Sequence, residues 1–270
     1  MAGSGIERVG SGFAFVEGPT WITKDGGYLL FSDIYNSKIM KISARGTSDV
    51  YRAYTNASNG NAVDSQGCLY ICERDGHRVV RQEKNGSISV VAEEYEGRKL
   101  NSPNDVVVRK DGNVYFSDPA AGALLEHQEL DFNGLYRVSP RGKVTLIAKM
   151  ARPNGLAPPD GNTLYVADTT EKKIVAFHLD ADGSASGGHD FIKNIEGSPD
   201  GLRVAVNGNL YIACKGIAVY TSSCKLIRTI EFPEAAVNCS FGDRDLQTLY
   251  VTARSSIYKL RVPDKGWAKY

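Results

Sequence analysis

The sequence predicts an all-β fold, a single six-bladed β-propeller over residues 1–270 with four antiparallel strands in each blade. Three observations predict it. A hydrophobic triplet recurs six times, at Leu29-Leu30-Phe31, Leu69-Tyr70-Ile71, Val114-Tyr115-Phe116, Leu164-Tyr165-Val166, Leu210-Tyr211-Ile212 and Leu249-Tyr250-Val251. Its interval of roughly 39 to 50 residues is that of a four-stranded blade. Between copies, short β-rich runs alternate with Asp-Gly and Asn-Gly style turns, and no segment sustains a 3.6-residue apolar period for the length of a helix. The last repeat is one strand short, and the N-terminal run 6–15 is the spare strand that completes it and closes the ring.

Within a repeat the elements follow in a fixed order, most plainly in blade 4. A first strand follows Pro153-Asn154, a turn falls at Pro159-Asp160-Gly161, and later strands are expected at 164–167, 173–179 and 189–195. Outer strands of the other blades are expected at 50–55, 89–93, 144–150 and 226–232, and the chain's last strand at 256–262.

The formal net charge of +1, without a Lys/Arg cluster, excludes the electrostatic footprint of a nucleic-acid or anionic-membrane binder. Residues 1–16 lack the continuous apolar core of a signal peptide, and no later stretch is long enough to span a bilayer. Cys68, Cys72, Cys214, Cys224 and Cys239 form an odd set without metal-finger spacing, which suits reduced thiols. The expectation is a cytoplasmic protein, monomeric or weakly oligomeric, with a small-molecule substrate.

About ten residues before each triplet stands one acid or amide: Glu17, Asn59, Asn104, Asn154, Asp200 and Asn238. Because blade strands alternate in direction, the start of the first strand and the end of the second lie at one mouth of the ring. The six residues are therefore expected to line its inner rim. Asp33, Glu73, Asp118 and Asp168, two positions beyond four of the triplets, are expected to form an acidic ring outside it. Pro-Asn-Gly and Pro-Asp-Gly are also turn sequences whose side chains often only cap backbone, but six copies in register favour a shared site.

Glu17, Asp200, Asn104 and Asn154 make an all-oxygen set suited to one hard divalent ion, Ca²⁺ first and Mg²⁺ or Mn²⁺ next, with Zn²⁺ more often recruiting His or Cys. Four protein ligands would leave positions open for water and substrate.

The stretches Glu17-Gly18-Pro19-Thr20-Trp21, Leu100-Asn101-Ser102-Pro103-Asn104-Asp105-Val106, Arg152-Pro153-Asn154-Gly155-Leu156, Pro199-Asp200-Gly201-Leu202 and Asn238-Cys239-Ser240-Phe241-Gly242 together carry a resemblance. The chain resembles the gluconolactonase, regucalcin (senescence marker protein) and luciferin-regenerating-enzyme family of six-bladed propellers, over essentially its whole length. The resemblance implies a metal-dependent hydrolase of sugar lactones and related cyclic esters. It implies Glu17, Asn154 and Asp200 as metal ligands and Asn104 beside the ion as ligand or substrate contact. Two positions depart from family patterns: Ser102 stands where animal regucalcins carry a sugar-contacting Arg, and Glu73 is followed by Arg74 where bacterial relatives often have His.

In the implied reaction the ion polarises the lactone carbonyl, Asn104 donates to the same oxygen, and Asp200 is nominated as the base. Asn59, Asp105, Asp118 and His127 complete the set as substrate contacts or as supports, with Asp105 the natural orienter of Asn104. The long connection 118–134, which contains His127, is a lid candidate. Two other readings compete: a calcium-dependent phosphotriesterase-like hydrolase, in which Asp200 attacks directly, and a non-catalytic binding propeller with a structural metal.

Overall fold

The computed structural model describes residues 5–43, 46–120, 128–157 and 161–267. The chain enters through β1 (Glu7–Ser11) and then builds blade 1 from β2 (Val16–Ile22), β3 (Tyr28–Asp33), β4 (Lys38–Ser43) and β5 (Ser48–Ala53). Blade 2 is β6 (Ser58–Val63), β7 (Leu69–Glu73), β8 (Arg78–Gln82) and β9 (Ile88–Ala92), followed by a small hairpin of β10 (Glu94–Tyr95) and β11 (Arg98–Lys99). Blade 3 is β12 (Val106–Val108), β13 (Val114–Asp118), β14 (Asn133–Val138) and β15 (Val144–Met150). Blade 4 is β16 (Pro153–Leu156), β17 (Thr163–Asp168), β18 (Lys173–Leu179) and β19 (Ala185–Ile192). Blade 5 is β20 (Leu202–Val204), β21 (Leu210–Ala213), β22 (Ile217–Tyr220) and β23 (Leu226–Ile230). Blade 6 is β24 (Ala236–Gly242), β25 (Thr248–Ala253) and β26 (Ser256–Arg261), with β1 as its fourth strand.

That last pairing is antiparallel, with Glu7 opposite Lys259 and Ser11 opposite Ser256, so the two ends of the chain close the ring in one sheet. The strand is shorter than the expected 6–15 because Gly12, at φ 86°, turns the backbone out of extended conformation. In blade 4 the outer strand begins earlier than expected, at Ala185. The run Ser186-Gly187-Gly188, which reads as a turn, pairs with β18 across an irregular register.

The triplets have a physical cause. Successive residues of a strand face opposite sides of its sheet, and in a ring each side meets a different neighbour. Leu29 and Phe31 pack toward blade 6 with Tyr250 and Ile257, while Leu30 packs toward blade 2 with Leu69 and Ile71. The same division holds around the ring: Val114 and Phe116 against Tyr115, Leu210 and Ile212 against Tyr211. The core is therefore six separate clusters, one at each blade–blade interface. Three of the central tyrosines keep their hydroxyls bonded, Tyr115 to Gly183 O at 2.6 Å, Tyr211 to Asp264 Oδ2 at 2.8 Å and Tyr250 to Asp243 Oδ1 at 2.8 Å. Trp21 is buried in the blade 6–blade 1 cluster and stacks on Tyr250 with ring centroids 5.2 Å apart.

The five cysteines are unpaired, four of them buried. Among the described residues no helix is long and apolar enough to cross a membrane.

Candidate functional site

The inner strands β2, β6, β12, β16, β20 and β24 stand around the axis, and their first residues gather at one mouth. The site begins with how tightly these strands meet. A Cβ placed on Gly155 would lie 2.2 Å from the Asp200 carbonyl oxygen, and one on Gly201 would lie 2.0 Å from the Asn238 side chain. The glycine after the acid or amide is thus required by the close approach of the next blade, through its backbone at Gly155 and through a side chain at Gly201, and Pro153-Asn154-Gly155 lies within β16 rather than in a turn. Hydrogen bonds seal the same seams: Gly60 N–H donates to Asn104 O at 2.7 Å and Gly201 N–H to Val237 O at 2.8 Å. Ser32 Oγ donates to Asn59 O at 2.7 Å and Ser117 Oγ to Asn154 O at 2.6 Å.

On this frame Glu17, Asn59, Asn154 and Asn238 are buried, while Asn104 and Asp200 keep partial access to solvent. Glu17 Oε2 accepts from Gly18 N–H at 2.8 Å and from Asn238 Nδ2 at 2.9 Å. Burial nevertheless pushes the Glu17 carboxyl up to about 7, with the charge of Asp105 adding to the rise and Arg203 opposing it. Asp200 is raised well above the usual carboxylate range, first by burial and then by the charge of Glu17, against lowering from Arg152 and a hydrogen bond with Asn154. The two carboxylates from blades 1 and 5 therefore feel one another across the axis. Asn154 Nδ2 donates to Thr169 Oγ1 at 3.1 Å, and that hydroxyl donates to Pro199 O at 2.7 Å, which fixes the amide's orientation toward its neighbour blade. Among the described residues the buried Asn59 Oδ1 has no hydrogen-bond partner.

Asp105 is buried between blades 3 and 4, its Oδ1 accepting Val106 N–H at 2.9 Å and its Oδ2 accepting Leu156 N–H at 2.9 Å. It holds the strand that carries Asn154. The acids beyond the triplets are buried as well, and three of them share one task. Asp33 accepts the N–H groups of Ala14 and Phe15, Asp118 those of Asn101 and Ser102, and Asp168 those of Ala151 and Arg152. In each case these are the residues three and two before Glu17, Asn104 or Asn154, so each carboxylate clips the segment that delivers the rim side chain. Glu73 instead takes Arg52, Asn56 and Arg78. Burial raises Asp118 to about 7 despite its two N–H donors. It reaches no solvent. His127 and the lid candidate's segment 121–127 lie outside the described residues.

Asn238, expected only as part of the rim, bonds the Glu17 carboxylate, and Thr169 and Arg203 join the site without having been expected there. Asn238 was findable from the register alone, since it precedes its triplet as Glu17 precedes Leu29. Thr169 and Arg203 have no counterpart in other repeats and so left no periodic signal.

Fold and rim residues together define a six-bladed propeller with polar side chains contributed by several blades. The family model described as SMP-30/Gluconolactonase/LRE-like region matches residues 15–255, and the chain belongs to this family. It is 30% identical to the gluconolactonase of Zymomonas mobilis, over 97% of this chain and 82% of that one. It is 26% identical to the regucalcin of Xenopus laevis, over 93% and 88% of the two chains. Among solved structures it is similar to a gluconolactonase from Xanthomonas campestris, with a TM-score of 0.87 and 32% identity over 96% of this chain and 89% of that one. The fold is also that of a calcium-binding regucalcin from Agrobacterium tumefaciens, at a TM-score of 0.83 and 22% identity over 97% and 95% of the two chains.

Proposed function

We propose that the chain is a metal-dependent lactonase that opens sugar lactones or related cyclic esters in its axial channel. The observation that carries this reading is the pairing of Glu17, buried, with Asp200, half-buried, two carboxylates from different blades, each raised in pKa and flanked by amide side chains. Relatives named gluconolactonase support the substrate class.

Two buried like charges are costly unless a cation offsets them. Among the described residues no three His, Cys, Asp or Glu side chains form a ligand cluster, so the available donors are two carboxylates and amide oxygens. That chemistry fits a hard divalent ion, calcium first, and the unpartnered Asn59 Oδ1 is a further oxygen of the same kind. Glu17, Asn154 and Asp200 would hold the ion with Asn104 beside it. When bound, it supplies Lewis acidity that polarises the lactone carbonyl.

The protein's own groups account for the remaining steps. Asn104, at the open mouth, donates to the carbonyl oxygen and orients the ring. Asp200 takes a proton from the water whose oxygen bonds to the carbonyl carbon; the ring C–O bond then breaks, and the departing oxygen recovers the proton to leave a hydroxy acid. Without an ion, burial and the Glu17 charge raise the proton affinity of Asp200; a bound dication would lower it, so Asp200 acts as base through the carboxylate oxygen that the ion does not engage. Asp105, Asp118 and Asp168 hold the strands and segments that present these groups.

The test is acid release from an aldonolactone by the parent protein, with and without chelator, beside Glu17→Gln and Asp200→Asn. The expected result is loss of turnover with chelator and in both variants while the fold persists. Turnover that survives all three would overturn the reading. Preference for an organophosphorus ester would replace it with phosphotriesterase chemistry, and a folded, ion-binding chain inert to both would leave a binding module.

A further inference from the structure

Arg203 lies in β20, three residues beyond Asp200, and is only 4% exposed. A guanidinium keeps its charge at every pH a folded protein meets, so burying it demands acceptors. Its acceptors are backbone carbonyls of three different blades. Nη1 donates to Leu202 O at 2.7 Å and to Leu156 O at 3.4 Å, and Nη2 donates to Pro19 O at 3.3 Å.

The three carbonyls share an address. Pro19 is two residues past Glu17, Leu156 two past Asn154 and Leu202 two past Asp200. One planar fork therefore binds all three segments that present the proposed ligands, at the carbonyl two residues beyond each ligand. The Leu156 peptide is gripped from its other end too, since its N–H donates to Asp105 Oδ2 at 2.9 Å.

Where Glu17 and Asp200 are both ionised, their like charges push the strands that carry them apart, and the push grows as solvent is excluded. The fixed positive charge of Arg203 favours ionised Glu17 and so offsets this repulsion. A fork bonded to all three strands also resists the resulting spread. We propose that Arg203 is a resident axial cation that keeps blades 1, 4 and 5 closed around Glu17 and Asp200 when no metal ion is bound, so that the ring does not depend on the ion for its fold. This rests on the reading of Glu17, Asn154 and Asp200 as the ion's holders. Arg203 is in this sense a positioning residue.

The test compares the parent protein with Arg203→Met and Arg203→Lys, each in chelator and in saturating calcium chloride, by thermal unfolding and by calorimetric titration with calcium. The expected result is that Arg203→Met loses far more thermal midpoint in chelator than in calcium. By linkage its folded form then binds calcium more tightly than the parent, by roughly tenfold or more, because a repelling charge has gone. Arg203→Lys, which keeps the charge and loses the fork, falls between the two. Equal losses in chelator and in calcium, with unchanged calcium affinity, would overturn the proposal and make Arg203 a packing residue alone. Should Arg203→Met fail to fold in both conditions, the same comparison on Arg203→Lys decides. A parent protein that takes up no calcium, magnesium or manganese would instead remove the ligand reading, a failure distinct from that of the brace.

Discussion

Asn238 Nδ2 donates to Glu17 Oε2 at 2.9 Å, joining side chains 221 residues apart across the seam between the last blade and the first. The bond lowers the proton affinity of Glu17 and works against its burial. A hydrogen bond to a charged group contributes about 1.5–3 kcal/mol, equivalent to about one to two pH units in a carboxylate's titration. In Asn238→Ala the pH at which calcium uptake is half-complete should therefore move up by about one unit or more. Calorimetric titrations between pH 5 and pH 9 would check this, and an unmoved midpoint would show that Asn238 leaves Glu17 unaffected.

Metal-free stability should fall as pH rises. The folded protein holds Glu17 and Asp118 at about 7, against ordinary values of 4.5 and 3.8, and Asp200 is raised as well. The folded state thus binds these protons more tightly than the unfolded chain. The contribution is full below the unfolded values and is lost as pH climbs from there through about 7. Thermal unfolding in chelator should give a higher midpoint at pH 5 than at pH 8, and saturating calcium should flatten the slope by favouring ionised Glu17 and Asp200. A midpoint that rises with pH over this range in chelator would contradict it.

Asp118→Ala should destabilise the fold by about 2–4 kcal/mol, because the N–H groups of Asn101 and Ser102, now bonded at 2.8 and 2.7 Å, would be left unpaired. Asp118→Asn, which keeps one acceptor oxygen, should lose less. Denaturant titration measures both. The ordering Ala worse than Asn distinguishes a clip on backbone donors from a group whose charge alone matters.

Gly155→Ala should cost about 1–3 kcal/mol and weaken calcium binding together, since the added methyl would press on the Asp200 carbonyl and part blades 4 and 5. Gly86→Ala, where a Cβ meets no heavy atom within 4 Å, is the control: its backbone strain at φ 83° also costs stability but leaves calcium affinity unchanged. Equal calcium affinity in the two variants would show that the close approach at Gly155 is irrelevant to the site.

The ring could be read from sequence because its cause is repeated six times. Each triplet serves two interfaces, so the alternation seen at Leu29, Leu30 and Phe31 had to recur wherever a blade meets its neighbours. Glu17, Asn154 and Asp200 stand out in the sequence for the same reason, a fixed offset from the triplet. The work of Asp33, Asp118 and Asp168 was not visible, because an acid that accepts backbone N–H groups and an acid that faces ligand have the same periodicity. Pro153-Asn154-Gly155 looked like a turn because the need for its glycine lies in the next blade, where the Asp200 carbonyl approaches. Arg203 could not be found at all, since its meaning lies in three carbonyls from remote parts of the chain.

The pairing of Glu7–Ser11 with Ser256–Arg261 also has a temporal side. During synthesis Glu7–Ser11 emerges ahead of the blades and Ser256–Arg261 after five of them, so five blades can form before the bracelet can be fastened. Until then one long edge of the closing sheet stays bare and able to recruit a stranger's strand. The nascent molecule is thus most exposed to misassembly just before Ser256–Arg261 is delivered.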